Sequence, residues 1–198
     1  MGKNINFSYG SLNANSLVKS QSPSTQSSYI RFLNQQSLDI LSLQETHALP
    51  SSIVTLDMQF NSLQSLWTPH CGIISYSPDY ILTQINTDQY FSSDRYILCQ
   101  LTHPNHFYST FYILNIYAPA SSSVERRQFF ESLYNMLQQL YDTLPLDRLI
   151  ISGDFNYDYQ RDIISGRKLY TTSPLWINYL DNLFYNSMEH NELALIPT

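Results

Sequence analysis

Charge is what this 198-residue chain has least of. Only 13% of its residues are Asp, Glu, Lys or Arg, against roughly 25% in an average soluble protein. The acids outnumber the bases 16 to 10, for a net charge of −6. That balance argues against gripping a polyanion through bulk electrostatics, so any contact with nucleic acid has to be local. Cysteine is almost absent as well. Cys71 and Cys99 are the only two, at a spacing that suits neither a metal site nor a redox pair. They read as two reduced, packed thiols of an intracellular protein. No apolar run is long enough to span a bilayer, and the start, Met1-Gly2-Lys3-Asn4-Ile5-Asn6, has no apolar signal core. Asn6 also stands where a myristoylation signal needs Ser or Thr. These absences describe a soluble protein of the nucleus or cytoplasm.

What is present is enough apolar side chain, 43% of the residues, to bury the core of one domain. Polarity comes from Ser, Asn, Gln and 16 tyrosines rather than from charge. Alternation at Ile5, Phe7 and Tyr9 predicts a first strand, followed by Gly10 to Asn15. Residues 19 to 27, rich in Ser and Gln, read as a loop. A helix then runs through Tyr29 to Leu33, capped by Ser27 or Ser28. Leu38 to Leu43 predicts a second, buried strand that ends in Gln44-Glu45-Thr46. Residues 47 to 70 carry no readable period, although Trp67 marks a packed segment.

Four strands follow without an intervening helix: Gly72–Ser77, Tyr80–Asn86, Tyr96–Leu101 and Thr110–Tyr117. Such a succession suggests antiparallel pairing, with a turn at Pro78-Asp79. Ser122 and Glu125 form a capping box. It opens a helix whose stripe is Phe130, Leu133, Leu137, Leu140 and Leu144, with Pro145 as its end. Ser173-Pro174 announces a last helix with Trp176, Leu180 and Leu183 facing inward. Strands and helices mixed in this order predict sheets packed face to face with helices outside.

The chain is organised around Leu149-Ile150-Ile151-Ser152-Gly153-Asp154-Phe155-Asn156. A short apolar strand stops at a glycine and then presents an acid and an amide two residues apart. If the backbone stays extended, both point to one side, a start for holding a metal ion or polarising a water. An Asx turn closing the strand explains the same residues. Other strands also end in polar groups: Asn13 and Asn15 after the first, Glu45 after the second, Tyr117 before Ala118-Pro119. Together they form an oxygen-rich set, suited to Mg²⁺ or Mn²⁺ and not to a closed zinc site.

Leu12-Asn13-Ala14-Asn15-Ser16-Leu17, Leu43-Gln44-Glu45-Thr46, Asn115-Ile116-Tyr117-Ala118-Pro119 and Ser152-Gly153-Asp154-Phe155-Asn156 occur in that order. They resemble the successive motifs of the endonuclease/exonuclease/phosphatase family, with its DNase I-like fold. Within it they are most similar to the apurinic-type endonucleases of LINE-type retrotransposons. The resemblance covers residues 5 to about 158. It implies a four-layered α/β sandwich, two mixed sheets face to face with helices on both outer sides, and metal-dependent cleavage of phosphoesters, here DNA nicking. It makes Glu45 the principal metal ligand, with Asn13 and Asn15 holding the metal or its waters. Asn15 stands where many members have Asp. Tyr117 would touch the scissile phosphate, Asp154 would orient or deprotonate the attacking water, and Asn156 would bond to a phosphate oxygen.

The chain departs from the family at two places. Ala120 stands where many members carry Asn, and the family's closing Ser-Asp-His has no counterpart, since no Asp-His pair occurs anywhere. Ser93-Asp94-Arg95 is the nearest string, with Arg for His and far too early in the chain. His47, His70, His103, His106 and His190 fit nothing in that motif, and His47 reads as a surface residue. The expectation is therefore a single domain incomplete at its C-terminal end, with its last strands missing. Its alternatives are a catalytically inactive remnant and a phosphatase of small esters. Arg126, Arg127, Arg161, Arg167 and Lys168 either flank a phosphate-binding face or are ordinary solvated charge.

Overall fold

The computed structural model describes residues 7–18, 23–107, 109–157 and 173–187. They fall into two compact units, residues 1–118 with 139–156, and residues 119–138 with 157–198. In the first unit, β1 (Tyr9–Asn13), β2 (Ile40–Gln44), β3 (Gln64–Trp67) and β4 (Cys71–Ser75) form a sheet in the order β1-β2-β4-β3. β5 (Ile81–Gln84), β6 (Tyr96–Thr102), β7 (Phe111–Tyr117) and β8 (Leu149–Asp154) form a second sheet in sequence order. Both sheets are mixed. β1 and β2 are parallel, as are β7 and β8, and all other pairs are antiparallel.

The sheets face each other across an apolar layer. β2 and β4 contribute Ile40, Cys71 and Ile73; β6 and β7 contribute Ile97, Cys99, Leu101 and Ile113. On the other face of the first sheet lie α1 (Pro23–Asn34) and α2 (Pro50–Phe60). Ile30, Leu33, Leu56 and Phe60 from these helices pack with Leu41, Leu43 and Ile74. β2 is therefore buried on both faces, which is why its residues form an unbroken buried run. The structure is an α/β sandwich.

Several boundaries differ from the sequence reading. The first strand is Tyr9–Asn13, because Tyr9 to Asn13 pair in register with Ile40 to Gln44; Ile5 lies outside the described residues. α1 begins at Pro23, in the segment expected to be a loop, so Ser27 and Ser28 are helical rather than caps. Proline's fixed φ suits a first helical position, and polarity alone did not disclose it. The unreadable stretch holds α2 and β3. Trp67 anchors it by donating Nε1–H to Asp57 at 2.8 Å. The expected run of four antiparallel strands breaks after its first member, since β4 belongs to the other sheet.

The second unit contains most of α3 (Ser123–Leu140) and all of α4 (Pro174–Leu183). Ser122 accepts from the N–H of Glu125 at 3.2 Å, one half of the capping box. Phe130, Leu133, Leu137 and Leu140 are buried as the stripe requires, but the helix stops at Leu140, before Leu144. Ser173 caps α4, and Trp176 stacks on Phe130 with ring centroids 5.1 Å apart. Leu183, expected inward, is exposed; Ile177 and Tyr179 are buried instead.

Candidate active site

In each sheet a parallel pair ends at the same rim. Asn13 pairs with Gln44 at the ends of β1 and β2, and Tyr117 pairs with Asp154 at the ends of β7 and β8. The carboxyl ends of parallel strands are where open α/β sheets place their ligands. Here β1 contacts β8 and β2 contacts β7 across the sandwich, so the two rims become one. The Asn13 amide donates to Asp154 Oδ2 at 2.7 Å. Asp154 Oδ1 accepts the backbone N–H of Asn156 at 3.0 Å, an Asx turn that also fixes the carboxylate. The Asn156 amide donates to the Ala118 carbonyl at 2.7 Å, tying this loop to the end of β7.

Gly153 makes the approach possible. Its φ is +141°, and a Cβ there would lie 2.0 Å from the carbonyl oxygen of Ile116. No side chain fits between β8 and β7 at this point. Beyond the strand ends, Asn15, Ser16, Glu45, His47 and Asn156 all adopt the left-handed region. Glu45 follows β2 with φ +53°. Left-handed backbone at non-glycine residues is costly and gathers at functional sites.

Glu45 and Asp154 both act on Tyr117. Burial raises the Tyr117 hydroxyl pKa, and the charges of Glu45 and Asp154 raise it further, while Arg95 opposes them. The Arg95 guanidinium carbon lies 5.3 Å from the centre of the Tyr117 ring. Tyr117 also meets His70, with ring centroids 5.6 Å apart and planes tilted by 37°. Asn15 is exposed at the rim, and its backbone N–H donates to Asn13 Oδ1 at 2.8 Å. The structure thus brings Asn13, Asp154 and Asn156 into one hydrogen-bonded group, with Glu45 and Tyr117 linked to it through charge. The Asn15 side chain forms no bond with that group among the described residues.

The donor set fits a hard cation. Glu45 is half-buried, and no described residue donates a hydrogen bond to its carboxylate. Among the described residues, Asn13 Oδ1 at the same rim accepts one hydrogen bond, from the Asn15 N–H. The described residues hold no group of three or more His, Cys, Asp or Glu around one point. A cation held here would rest on one or two carboxylates with amide and water oxygens, not in a closed cage of His and Cys ligands.

Beneath the rim lies a polar group that the motif quoted but gave no role. Asn115 is fully buried on β7, accepts from Gln44 Nε2 at 2.7 Å, and donates to the carbonyls of Leu43 at 2.9 Å and Gly72 at 3.0 Å. It bolts the two sheets together two residues before Tyr117. Gln44 reaches on to Ser11 at 3.0 Å.

No family model matches the sequence, and no curated protein matches it significantly. Solved structures match its fold. An endonuclease/exonuclease/phosphatase family protein from Bacteroides thetaiotaomicron is 12% identical, with a TM-score of 0.55 over 82% of this chain and 68% of that one. The fold is that of the endonuclease/exonuclease/phosphatase proteins. A mannosyl-6-phosphatase of the same bacterium shares this fold at 12% identity, with a TM-score of 0.56 over 83% of this chain and 72% of that one. D. rerio TDP2, solved with a single-strand DNA product, shares it at 15% identity, with a TM-score of 0.54 over 81% of this chain. The chain spans 64% of that TDP2 structure.

Within this fold, the basic residues singled out in the sequence are engaged elsewhere. Arg126 donates to the carbonyls of Pro119 and Ala120, and Arg127 pairs with Glu131 at 2.9 Å. Arg161, Arg167 and Lys168 lie outside the described residues. The basic side chains beside Tyr117 are Arg95 and His70, and burial together with the Arg95 charge lowers the His70 pKa. Neither was nominated from the sequence, because nothing local ties them to the motifs.

Proposed function

We propose that this chain is a divalent-metal-dependent phosphoester hydrolase that cleaves the phosphodiesters of DNA, in the manner of retroelement endonucleases. One observation carries the proposal: Asp154, held by Asn13 and by the Asn156 backbone, shares with Glu45 the surroundings of Tyr117 at the joined strand ends. Glu45 with Asn13 and Asn15 would hold Mg²⁺ or Mn²⁺, whose charge would neutralise that developing on the phosphate oxygens. Asp154 would orient a water and accept its proton, a task served by a carboxylate fixed by other hydrogen bonds. Tyr117 would touch the scissile phosphate, and Asn156 would bond to a phosphate oxygen. The single-strand DNA product of the TDP2 neighbour supports a nucleic-acid substrate. The low basic content, with a net charge of −6, favours a second reading within the same chemistry, a phosphatase of small esters.

The test compares nicking of supercoiled plasmid with phosphate release from p-nitrophenyl phosphate, each with Mg²⁺ and with Mn²⁺. Nicking that is lost in both Glu45→Gln and Asp154→Asn is the expected result. Phosphate release without nicking would favour the small-ester reading. No hydrolysis of either substrate would refute both.

A further inference from the structure

The two sheets lie strand over strand: β1 contacts β8, β2 contacts β7, β4 contacts β6 and β3 contacts β5. The rim that carries Asn13, Glu45, Tyr117 and Asp154 therefore runs on past β4 and β6 to β3 and β5. Two connections close it there. β3 turns into β4 through residues 68–70, and β5 passes to β6 through residues 85–95, both at the end where β2 and β7 finish. Gln64 Oε1 accepts the N–H of Leu82 at 2.7 Å, joining β3 to β5. The Thr68 hydroxyl donates to the Asp94 carbonyl at 2.6 Å, joining the turn to the loop.

Between turn and loop opens a cavity of about 320 Å³, within the range of about 300–1,000 Å³ usual for small-molecule sites. Its apolar wall is Ile85 with Leu98. The loop around it is held from inside. Buried Thr87 shares a 2.6 Å hydrogen bond with the Tyr96 hydroxyl, and its carbonyl accepts the N–H groups of Tyr90 at 2.8 Å and Phe91 at 2.9 Å. Tyr96 stacks on Phe91, and Asn86 Oδ1 accepts the N–H of Asp88 at 2.9 Å. The Gln84 amide, Asn86 Nδ2 and the Asp88 carboxylate also line the cavity, exposed and without a hydrogen bond to any described residue. Among the described residues that line it there is no Lys, Arg or His. Asp88 repels an anion, so the cavity suits an uncharged group with hydrogen bonds to give, not a phosphate.

We propose that this cavity is a base subsite, taking a nucleobase with an exocyclic amine from the same strand whose phosphodiester lies at Tyr117 and Asp154. This rests on the phosphodiesterase reading of that rim. Amide side chains pair with the amine and ring nitrogen of adenine, and a carboxylate accepts from the amine of cytosine, whereas thymine has no such amine. A base must leave its stack to enter, so the strand there is single or locally opened. Adjacent strands are about 4.8 Å apart, so the β5 side of the rim lies about 10 Å from Tyr117 on β7 and about 14 Å from Asp154 on β8. At about 3.4 Å per nucleotide along a stacked strand, the bound base is about three nucleotides from the scissile bond. A small ester is too short to fill both places.

The isotopically labelled chain, titrated in EDTA with hexanucleotides of deoxyadenosine and of thymidine, tests the subsite without cleavage. The deoxyadenosine oligomer should move the Gln84 and Asn86 side-chain amide resonances and bind about tenfold more tightly than the thymidine oligomer. The double variant Gln84→Ala/Asp88→Asn should bind the two alike, and a melting temperature like that of wild type shows that it folds. Unmoved amide resonances, or equal affinity of the wild-type chain for both oligomers, overturn the inference. With Mg²⁺, a thymidine tract holding one adenosine should be cut preferentially about three nucleotides from it. Uniform cutting along the tract overturns the inference and leaves the hydrolase reading standing. Preference for deoxyadenosine at Gln84 and Asn86, in a chain that cuts nothing, supports the subsite and refutes the hydrolase reading alone.

Discussion

Replacing Asn115 by Leu removes the polar bolt between the sheets while keeping a side chain branched at Cγ. Asn115 is fully buried and makes three hydrogen bonds, to the Gln44 amide and to the Leu43 and Gly72 carbonyls. Each such bond contributes about 1 kcal/mol net, and a buried group left without its partner costs more. The expected loss is about 3–4 kcal/mol, a large part of the total stability of about 5–15 kcal/mol typical of a domain. With a urea m-value of about 2–3 kcal/mol per molar, the unfolding midpoint should fall by about 1–2 M. Gln44→Leu alone should cost less, because Asn115 keeps both carbonyls. The double variant should cost measurably less than the sum, since removing both members of a buried polar pair spares the desolvation penalty. A midpoint shift in Asn115→Leu below about 0.3 M, or strict additivity in the double variant, would refute the reasoning.

Three further outcomes follow from the geometry. Gly153→Ala would put a Cβ 2.0 Å from the Ile116 carbonyl at φ +141°, so β8 cannot pair as it does. The variant should lose more than about 4 kcal/mol or fail to accumulate as soluble protein, read from melting temperature and yield. Cys71 and Cys99 are buried between the sheets, and burial pushes both thiols up, Cys99 to about 12. A thiol reagent at pH 8 should therefore label neither in the native chain and both in guanidinium. Burial also raises Tyr9 from 10.0 to about 12, against its hydrogen bonds with Ser152 and Ser42, which lower it. Its folded-state pKa is the higher one, so this contribution to stability is complete below pH 10 and is lost as pH rises through 12. Alkaline melts should fall more steeply over that range in wild type than in Tyr9→Phe.

The parts of the fold that local pattern reveals are those where a single residue type has a positional meaning. Ser173-Pro174 starts a helix because a cap oxygen and a fixed φ serve no other purpose there, and the helix is there. The stripe from Phe130 to Leu140 reads directly as a buried face. Partition into sheets is a different matter. β4 and β5 are successive apolar runs joined through Pro78-Asp79, as an antiparallel pair would be. Which neighbour each one chooses is decided by the long-range registers Ile40↔Ser75 and Ile81↔Thr102, which no local period encodes. α2 escaped detection for a similar reason. Of Pro50-Ser51-Ser52-Ile53-Val54-Thr55-Leu56-Asp57-Met58-Gln59-Phe60, only Leu56 and Phe60 are buried, while Val54 and Met58 are exposed, so its apolar residues form no clean stripe.

The candidate site divides along the same line. Asn13, Glu45, Tyr117, Asp154 and Asn156 could be singled out because each stands at the end of a strand within a short ordered motif, and such motifs survive in one dimension. Asp94 and His70 could not. His70 belongs to the turn before β4 in one sheet and Asp94 to the loop before β6 in the other, and Thr68 is bonded to both segments. The same holds for the joined rim. Asn13 and Asp154 lie near opposite ends of the described chain, and their 2.7 Å bond exists because each sheet carries one parallel pair and the two pairs end at the same rim. A parallel pair needs a crossover segment, and a crossover sets the direction of the strand that follows it. The joined rim is thus a consequence of the two crossovers that make β1 parallel to β2 and β7 parallel to β8.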